Sequence, residues 1–349
     1  MRVGFPSIDI GALFAGVTDA RAATDSAIMA AAAGTGFMLV HALPDDVPIG
    51  ADARSQLLRL FRLPLHESRL LWRRKFDPSH SNVYRGWFPL QRGLATAKEG
   101  IDMGADIAYG GSVVDGSDPL REATPLPSEE SLPGWREAVA GYYRSMEKVA
   151  NALMGSIARG LGLPGRYFDP YFERGLSTLR LIRYPVRDDL DTANMSDPEL
   201  WVTHAGERRY LTGKPHVDSG FLTLLAQDGV AGLQALHSSG EWVDVPPEDK
   251  TLVVNFGKLL ERWSGGRIKA TAHRVIGAGQ ERCSIPFFYE ARADAEIAPL
   301  PLAGAAQFDP FLYGDYLWAT TTQFIEFKGM EGLRQPWRGS SRSLVHPLP

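Results

Sequence analysis

The pattern of apolar positions changes character halfway along the chain. Between Trp135 and Leu161, the residues Trp135, Val139, Tyr142, Met146, Val149, Leu153, Ile157 and Leu161 recur at steps of three or four. That spacing makes one apolar stripe on a long helix, and Gly162 and Pro164 end it. Asp19 to Ala33 is Ala-rich without Pro or Gly and stops at Gly34, which predicts a second helix. Asp52 to Leu60 predicts a third. Phe5–Ile10 and Gly36–Val40 read as early strands. Beyond residue 170 the helical period disappears. Thr178–Tyr184, Phe221–Ala226, Gly232–Leu236, Glu241–Val245, Thr251–Phe256, His273–Ile276 and Cys283–Tyr289 are short, rich in β-branched or aromatic residues, and separated by turn formers. Such runs predict a sandwich or barrel, interrupted by one short helix at Lys258–Trp263. Lys75 to Pro127 reads as long loops, and no internal repeat is visible. The expectation is mainly β structure with a helical outer layer, in one integrated domain over residues 1–349.

Composition narrows the class. The chain is 44% apolar and 22% charged, which excludes wholesale disorder. Its 37 basic and 41 acidic residues give a net charge of −4, so there is no global pull toward nucleic acid or anionic membrane. No run of 18 apolar residues is present, and Met1–Pro6 lacks the apolar core of a secretory signal. Cys283 is the single cysteine, so neither an internal disulfide nor a cysteine-built zinc site can form. These features predict a reduced, cytoplasmic, soluble protein; the oligomeric state is left open.

Of the eight histidines, only His216 is followed two residues later by a carboxylate, Asp218. On an extended segment those side chains point the same way. Two histidines and one carboxylate make a facial triad that holds Fe(II) and leaves positions open for further ligands. His273, at the start of a predicted strand 273 − 216 = 57 residues further on, is the expected third ligand, with His237 next in line. Arg282 and Ser284 share a face of another strand and offer a guanidinium fork and a hydroxyl, the donors a buried carboxylate needs. Cys283, pointing the other way, reads as a small buried residue.

His216-x-Asp218, His273-Arg274-Val275 and Arg282-x-Ser284 with Phe287-Phe288 resemble the isopenicillin N synthase-like branch of the Fe(II)/2-oxoglutarate-dependent dioxygenases. The resemblance extends to Phe5–Asp9, Gly34-Thr35-Gly36-Phe37, Tyr84–Pro89, Lys98–Asp102, Arg180–Pro185, Gly257–Gly266 and Tyr313–Leu317, nearly the whole chain. Ile182 stands where plant members usually carry an asparagine. The resemblance implies a double-stranded β-helix (jelly roll) core over residues 171–300 that carries the metal site. It also implies a mostly helical part over 1–170 and a C-terminal helical segment over 301–349.

It further implies Fe(II), 2-oxoglutarate and O2 as cofactors. Tyr184, Arg282 and Ser284 would contact the cosubstrate, and Arg85, Trp87, Phe88 and His204 would line the substrate pocket. The stretch 186–215, with His204, Arg208, Arg209 and Lys214, reads as a surface insertion or a substrate-recognition loop. Its charges, with Arg85, point to an anionic or carboxylate-bearing metabolite, and the expected reaction is hydroxylation of an unactivated C–H bond. The alternative is an oxidase or cyclase of the same fold that dispenses with 2-oxoglutarate and uses Arg282 and Ser284 to grip the substrate's own carboxylate.

Overall fold

The computed structural model describes residues 4–90, 98–187, 197–305, 307–324 and 327–337. Two sheets face each other. The larger is built from β1 (Ser7–Asp9), β2 (Phe37–His41), β3 (Gly86–Phe88), β4 (Glu99–Met103), β5 (Thr178–Tyr184), β8 (Leu222–Gln227), β11 (Leu252–Phe256) and β13 (Arg282–Tyr289). Their spatial order is β1-β2-β11-β8-β13-β5-β4-β3. The smaller contains β6 (Trp201–His204), β7 (Glu207–His216), β9 (Leu233–Leu236), β10 (Trp242–Asp244) and β12 (His273–Ile276), ordered β10-β9-β12-β7-β6. Apart from the parallel β1–β2 pair, the neighbours in both sheets run antiparallel.

The period-two alternation of the larger sheet sorts its side chains into two cores. Leu179, Leu181, Leu222, Leu224, Leu252, Val254, Ile285 and Phe287 point outward into the main hydrophobic cluster. There they meet the helix Trp135–Gly160, whose Val139, Tyr142, Tyr143, Met146, Val149 and Leu153 are buried. Tyr143 stacks edge-on against Phe287 and donates its hydroxyl hydrogen to the Ser177 carbonyl. The opposite parity points between the sheets. At one end Phe37, Leu39, Leu233, Ala235, Val253 and Val275 close the space with a small apolar cluster. Many of the remaining inward positions, among them Thr178, Arg180, Tyr184, Thr223, Gln227, Asn255, Arg282 and Ser284, are polar, with Ile182, Leu225 and Phe288 between them. Polar residues on the inner face of a closed sheet pair mark the functional interior.

Two expectations are corrected. The region read as loops between Lys75 and Pro127 supplies β3 and β4, which extend the larger sheet. The strand signal was hidden by Gly86 and Gly100. Within the stretch 186–215, the described residues 197–215 include β6 and most of β7, which form a hairpin turned at Ala205 and Gly206, both with positive φ. Its alternating charged residues masked a strand that is half exposed. Residues 188–196 lie outside the described residues. Among the described residues, no helix is long and apolar enough to cross a membrane.

Candidate active site

His216 ends β7 and His273 opens β12, and these two residues are direct cross-strand partners. Their rings therefore face each other, with centroids 4.3 Å apart. Asp218 follows in the turn out of β7. Its Oδ1 lies 3.8 Å from His216 Nε2 and 3.8 Å from His273 Nε2. One ligand atom from each residue falls within 4.8 Å of the others, a spacing that one metal ion can span.

The surroundings fix which atoms face the centre. His216 Nδ1 lies 2.8 Å from the Lys214 carbonyl and His273 Nδ1 lies 3.4 Å from the Thr271 carbonyl. A carbonyl can only accept, so each Nδ1 carries the hydrogen and each Nε2 presents a lone pair. Asp218 Oδ2 accepts hydrogen bonds from Thr223 Oγ1 at 2.6 Å and Asn255 Nδ2 at 2.7 Å, which leaves Oδ1 pointing at the imidazoles. Burial by itself would raise the Asp218 carboxyl. The two imidazoles and the two hydrogen bonds outweigh it and hold the group below its ordinary value. Enclosure in the cleft and the adjacent His273 push the His216 imidazole down to about 4. The His216 imidazole and the Asp218 carboxylate are thus in their metal-binding protonation states near neutral pH.

A second feature lies further along the inner face. Arg282 pairs across strands with Tyr184, and Ser284 with Ile182 and Gln227. Arg282 is 3% exposed. It donates from Nη2 to Gln227 Oε1 at 3.3 Å and sits over the Tyr184 ring at 5.4 Å. Its Nε and Nη1 are buried and have no acceptor among the described residues. A buried guanidinium with two unused donors is costly by itself. It fits a protein that receives a carboxylate there, and the 2-oxoglutarate C5 carboxylate has the right chemistry.

Beside the triad opens a cavity of about 370 Å³, with His216, Asp218, Thr178, Arg180, Phe288 and Glu290 in its wall. Four residues expected around the substrate are placed elsewhere or only behind this wall. Arg85 is fully buried and donates to Thr178 Oγ1 and to the Leu176 and Met103 carbonyls, so it ties strands together rather than facing the cavity. Trp87 points into the main core against Phe61. Phe88 backs the cavity indirectly, with its ring 5.5 Å from the Arg180 guanidinium. His204 sits on the smaller sheet with Gln234 and Asp244. The parity that separates Trp87 from Phe88, and Arg183 from Tyr184, would also have selected Arg180, Phe288 and Glu290. Arg183 itself pairs with Glu99 and Glu281 on the far face. Cys283 is buried, and burial with nearby Asp228 pushes its thiol up to about 12.

The family model of the 2OG-Fe(II) oxygenase superfamily matches residues 181–291, a span that contains all three triad residues. The 2-oxoglutarate-Fe(II) type oxidoreductase hxnY of Emericella nidulans is 32% identical over 255 residues, covering 70% of this chain and 67% of that protein. The chain belongs to the 2-oxoglutarate–Fe(II) oxygenase superfamily. Isopenicillin N synthase of Streptomyces clavuligerus is 27% identical over 317 residues, covering 89% of this chain and 93% of that one. The crystal structure of a full-length Neurospora crassa protein in complex with α-ketoglutarate and thymine superposes with a TM-score of 0.74 at 24% identity. The match covers 92% of this chain and 97% of that one, and shows that the fold is shared. The core is the jelly roll of this superfamily, and the enzyme is an oxidoreductase that uses Fe(II), 2-oxoglutarate and O2.

Proposed function

We propose that this oxygenase hydroxylates an unactivated C–H bond of a small, carboxylate-bearing metabolite, working as one integrated domain over residues 1–349. The overall change is C–H plus 2-oxoglutarate plus O2 to C–OH plus succinate plus carbon dioxide. Bound Fe(II), with 2-oxoglutarate, supplies the oxidising chemistry. His216, Asp218 and His273 are the proposed ligands. Their task is to present two neutral Nε2 atoms and one carboxylate oxygen on one side, leaving the cavity side open. The carbonyls of Lys214 and Thr271 keep the imidazole tautomers fixed, and Thr223 with Asn255 stops Asp218 from rotating. Arg282 binds the C5 carboxylate through Nε and Nη1, with Ser284 adding a hydroxyl and Tyr184 packing against the guanidinium.

The observation that carries this reading is the pairing of the convergent His–Asp–His triad with the unsatisfied, buried Arg282 fork. The test is succinate formation by the Fe(II)-loaded enzyme against a library of small organic acids. Succinate should rise in step with loss of one acid and with the appearance of a product heavier by one oxygen. Loss of substrate without succinate would instead favour the oxidase chemistry suggested by the likeness to isopenicillin N synthase.

A further inference from the structure

The arginine that faces the cosubstrate in the reading above is held from behind by one amide. Gln227 ends β8, lies opposite Ser284 of β13, and is 6% exposed. Its Nε2 faces two carbonyl oxygens, that of Pro246 at 3.2 Å and that of Val245 at 3.4 Å. Carbonyls only accept, so the NH2 is turned to them, and Oε1 is the atom that meets Arg282. It accepts from Arg282 Nη2 at 3.3 Å. Val245 and Pro246 follow β10 of the smaller sheet, so this one side chain ties Arg282 to both sheets. The next residue grips the same place on the backbone. Asp228 Oδ2 accepts from the Cys283 N–H, and Asp228 Oδ1 accepts from the Val230 N–H at 3.1 Å. The Tyr184 ring, with its centroid 5.4 Å from the guanidinium carbon, restrains the plane of the group.

Buried guanidiniums are ordinarily paired with a carboxylate. Here the acceptor is a neutral amide, and Nε and Nη1 have no acceptor among the described residues. A glutamate at the same position would have the same reach, but it would cancel the arginine's charge inside the protein. We propose that Gln227 is the positioning residue for cosubstrate recognition. Its neutral amide fixes the guanidinium by one nitrogen and leaves the full charge, with the other donors, for the C5 carboxylate of 2-oxoglutarate. This rests on the reading that Arg282 receives that carboxylate, and adds the residue that keeps the arginine in place for it. The amide bonds of Gln227 go to Val245, Pro246 and Arg282, whereas the triad is oriented by Lys214, Thr271, Thr223 and Asn255. The effect of Gln227 therefore belongs to the far end of the cosubstrate and not to the metal.

The test uses the full chain loaded with Mn(II), a redox-silent ion of the same charge, and isothermal titration calorimetry. The two probes are 2-oxoglutarate and 2-oxopentanoate, which has the same carbon chain without the C5 carboxylate. The ratio of their affinities reads the contact at Arg282. In the native protein that ratio should be about a hundredfold or more, and Arg282→Met should bring it close to one. Gln227→Met should cut the ratio about tenfold by weakening 2-oxoglutarate and not 2-oxopentanoate, with Mn(II) affinity within twofold of native. Gln227→Glu keeps an acceptor but pairs the arginine in advance, and should cut the ratio at least as far. Adding Gln227→Met to Arg282→Met should change the ratio no further. A merely structural role would weaken both keto acids, or the metal, in parallel and leave the ratio alone. The proposal is overturned if either Gln227 variant binds Mn(II) normally and keeps the native ratio within twofold, if both keto acids weaken together, or if neither variant binds Mn(II). A native ratio near one, or a ratio that survives Arg282→Met, would refute the assignment of Arg282 itself, and the proposal with it.

Discussion

Arg282 allows a prediction with two opposite signs. In the protein without cosubstrate its guanidinium is buried, makes one hydrogen bond of 3.3 Å, and leaves Nε and Nη1 without acceptors. Replacing a poorly compensated buried charge by an apolar side chain of similar volume is neutral or stabilising by roughly 1–4 kcal/mol. Arg282→Met should therefore melt no lower than the native enzyme when 2-oxoglutarate is absent. With 2-oxoglutarate the order reverses. The native enzyme gains the stabilisation of a bound ligand, about 2.7 kcal/mol at a hundredfold excess over Kd, and the Met variant loses most of it. Arg282→Lys keeps the charge but not the two-pronged geometry, so about 1–3 kcal/mol of cosubstrate binding should go, roughly ten- to a hundredfold in affinity. Ser284→Ala, which removes a neutral hydroxyl, should cost about 1 kcal/mol. The assays are thermal unfolding with and without 2-oxoglutarate and the 2-oxoglutarate dependence of succinate formation at saturating iron. An Arg282→Met protein that is several kcal/mol less stable without cosubstrate would show that the arginine is structural. An Arg282→Lys enzyme with unchanged 2-oxoglutarate dependence and weakened primary substrate would move this arginine to the substrate's own carboxylate.

His273→Ala should abolish turnover and iron binding while leaving the circular dichroism spectrum intact. If most turnover survives, another histidine must serve, and His237, which stands with Ser239 and Phe5 on the outside, is the one to test. Asn255→Leu removes one of the two bonds that orient Asp218 and should weaken iron roughly ten- to a hundredfold, read by metal titration. Glu290 is a carboxyl whose folded value, about 8, lies above its unfolded one, so the folded state holds the extra proton. Its stabilising contribution is complete below about 4.5 and is lost as pH rises toward about 8. Glu290→Gln should flatten that decline in denaturant midpoints measured across the same pH window, and an undiminished decline would exclude Glu290 as its source. Gly36→Ala should destabilise by about 2 kcal/mol or more, because φ there is +63° and a Cβ would run into the Lys269 carbonyl oxygen.

Much of this architecture is readable from residue order. Thr178–Tyr184, His273–Ile276 and the helix Lys258–Trp263 have the boundaries their composition predicts, because Pro185 and Gly277 stop the two strands and Gly265 follows the helix by one residue. The triad is legible because a period of two and a single His-x-Asp leave few ways to bring ligands together. What escaped was set by tertiary context. Arg85 looks like a substrate contact only until its carbonyl partners on distant segments are known. Arg180 reads as an ordinary charged strand residue, since Asp102 and Arg73 come from segments that carry no strand signal of their own. The hairpin of β6 and β7 has a charged, half-exposed pattern that a loop shares.

The corner at Gly36 bears on how far the enzyme can be cut down. Lys269 donates its backbone N–H to the Ala32 carbonyl, Thr271 donates its hydroxyl to the Thr35 carbonyl, and the Phe37 ring lies 6.2 Å from that of His273. His273, the proposed third ligand, is thus aligned by the helix Asp19–Gly34 and by β2, more than 230 residues earlier in the chain. The segment 181–291 contains all three proposed ligands, yet excised alone it would lose this brace, together with the long helix beneath β13. Iron affinity should be a property of the intact N-terminal half as much as of the residues that touch the ion, so a minimal catalyst cannot be made by trimming to the ligands.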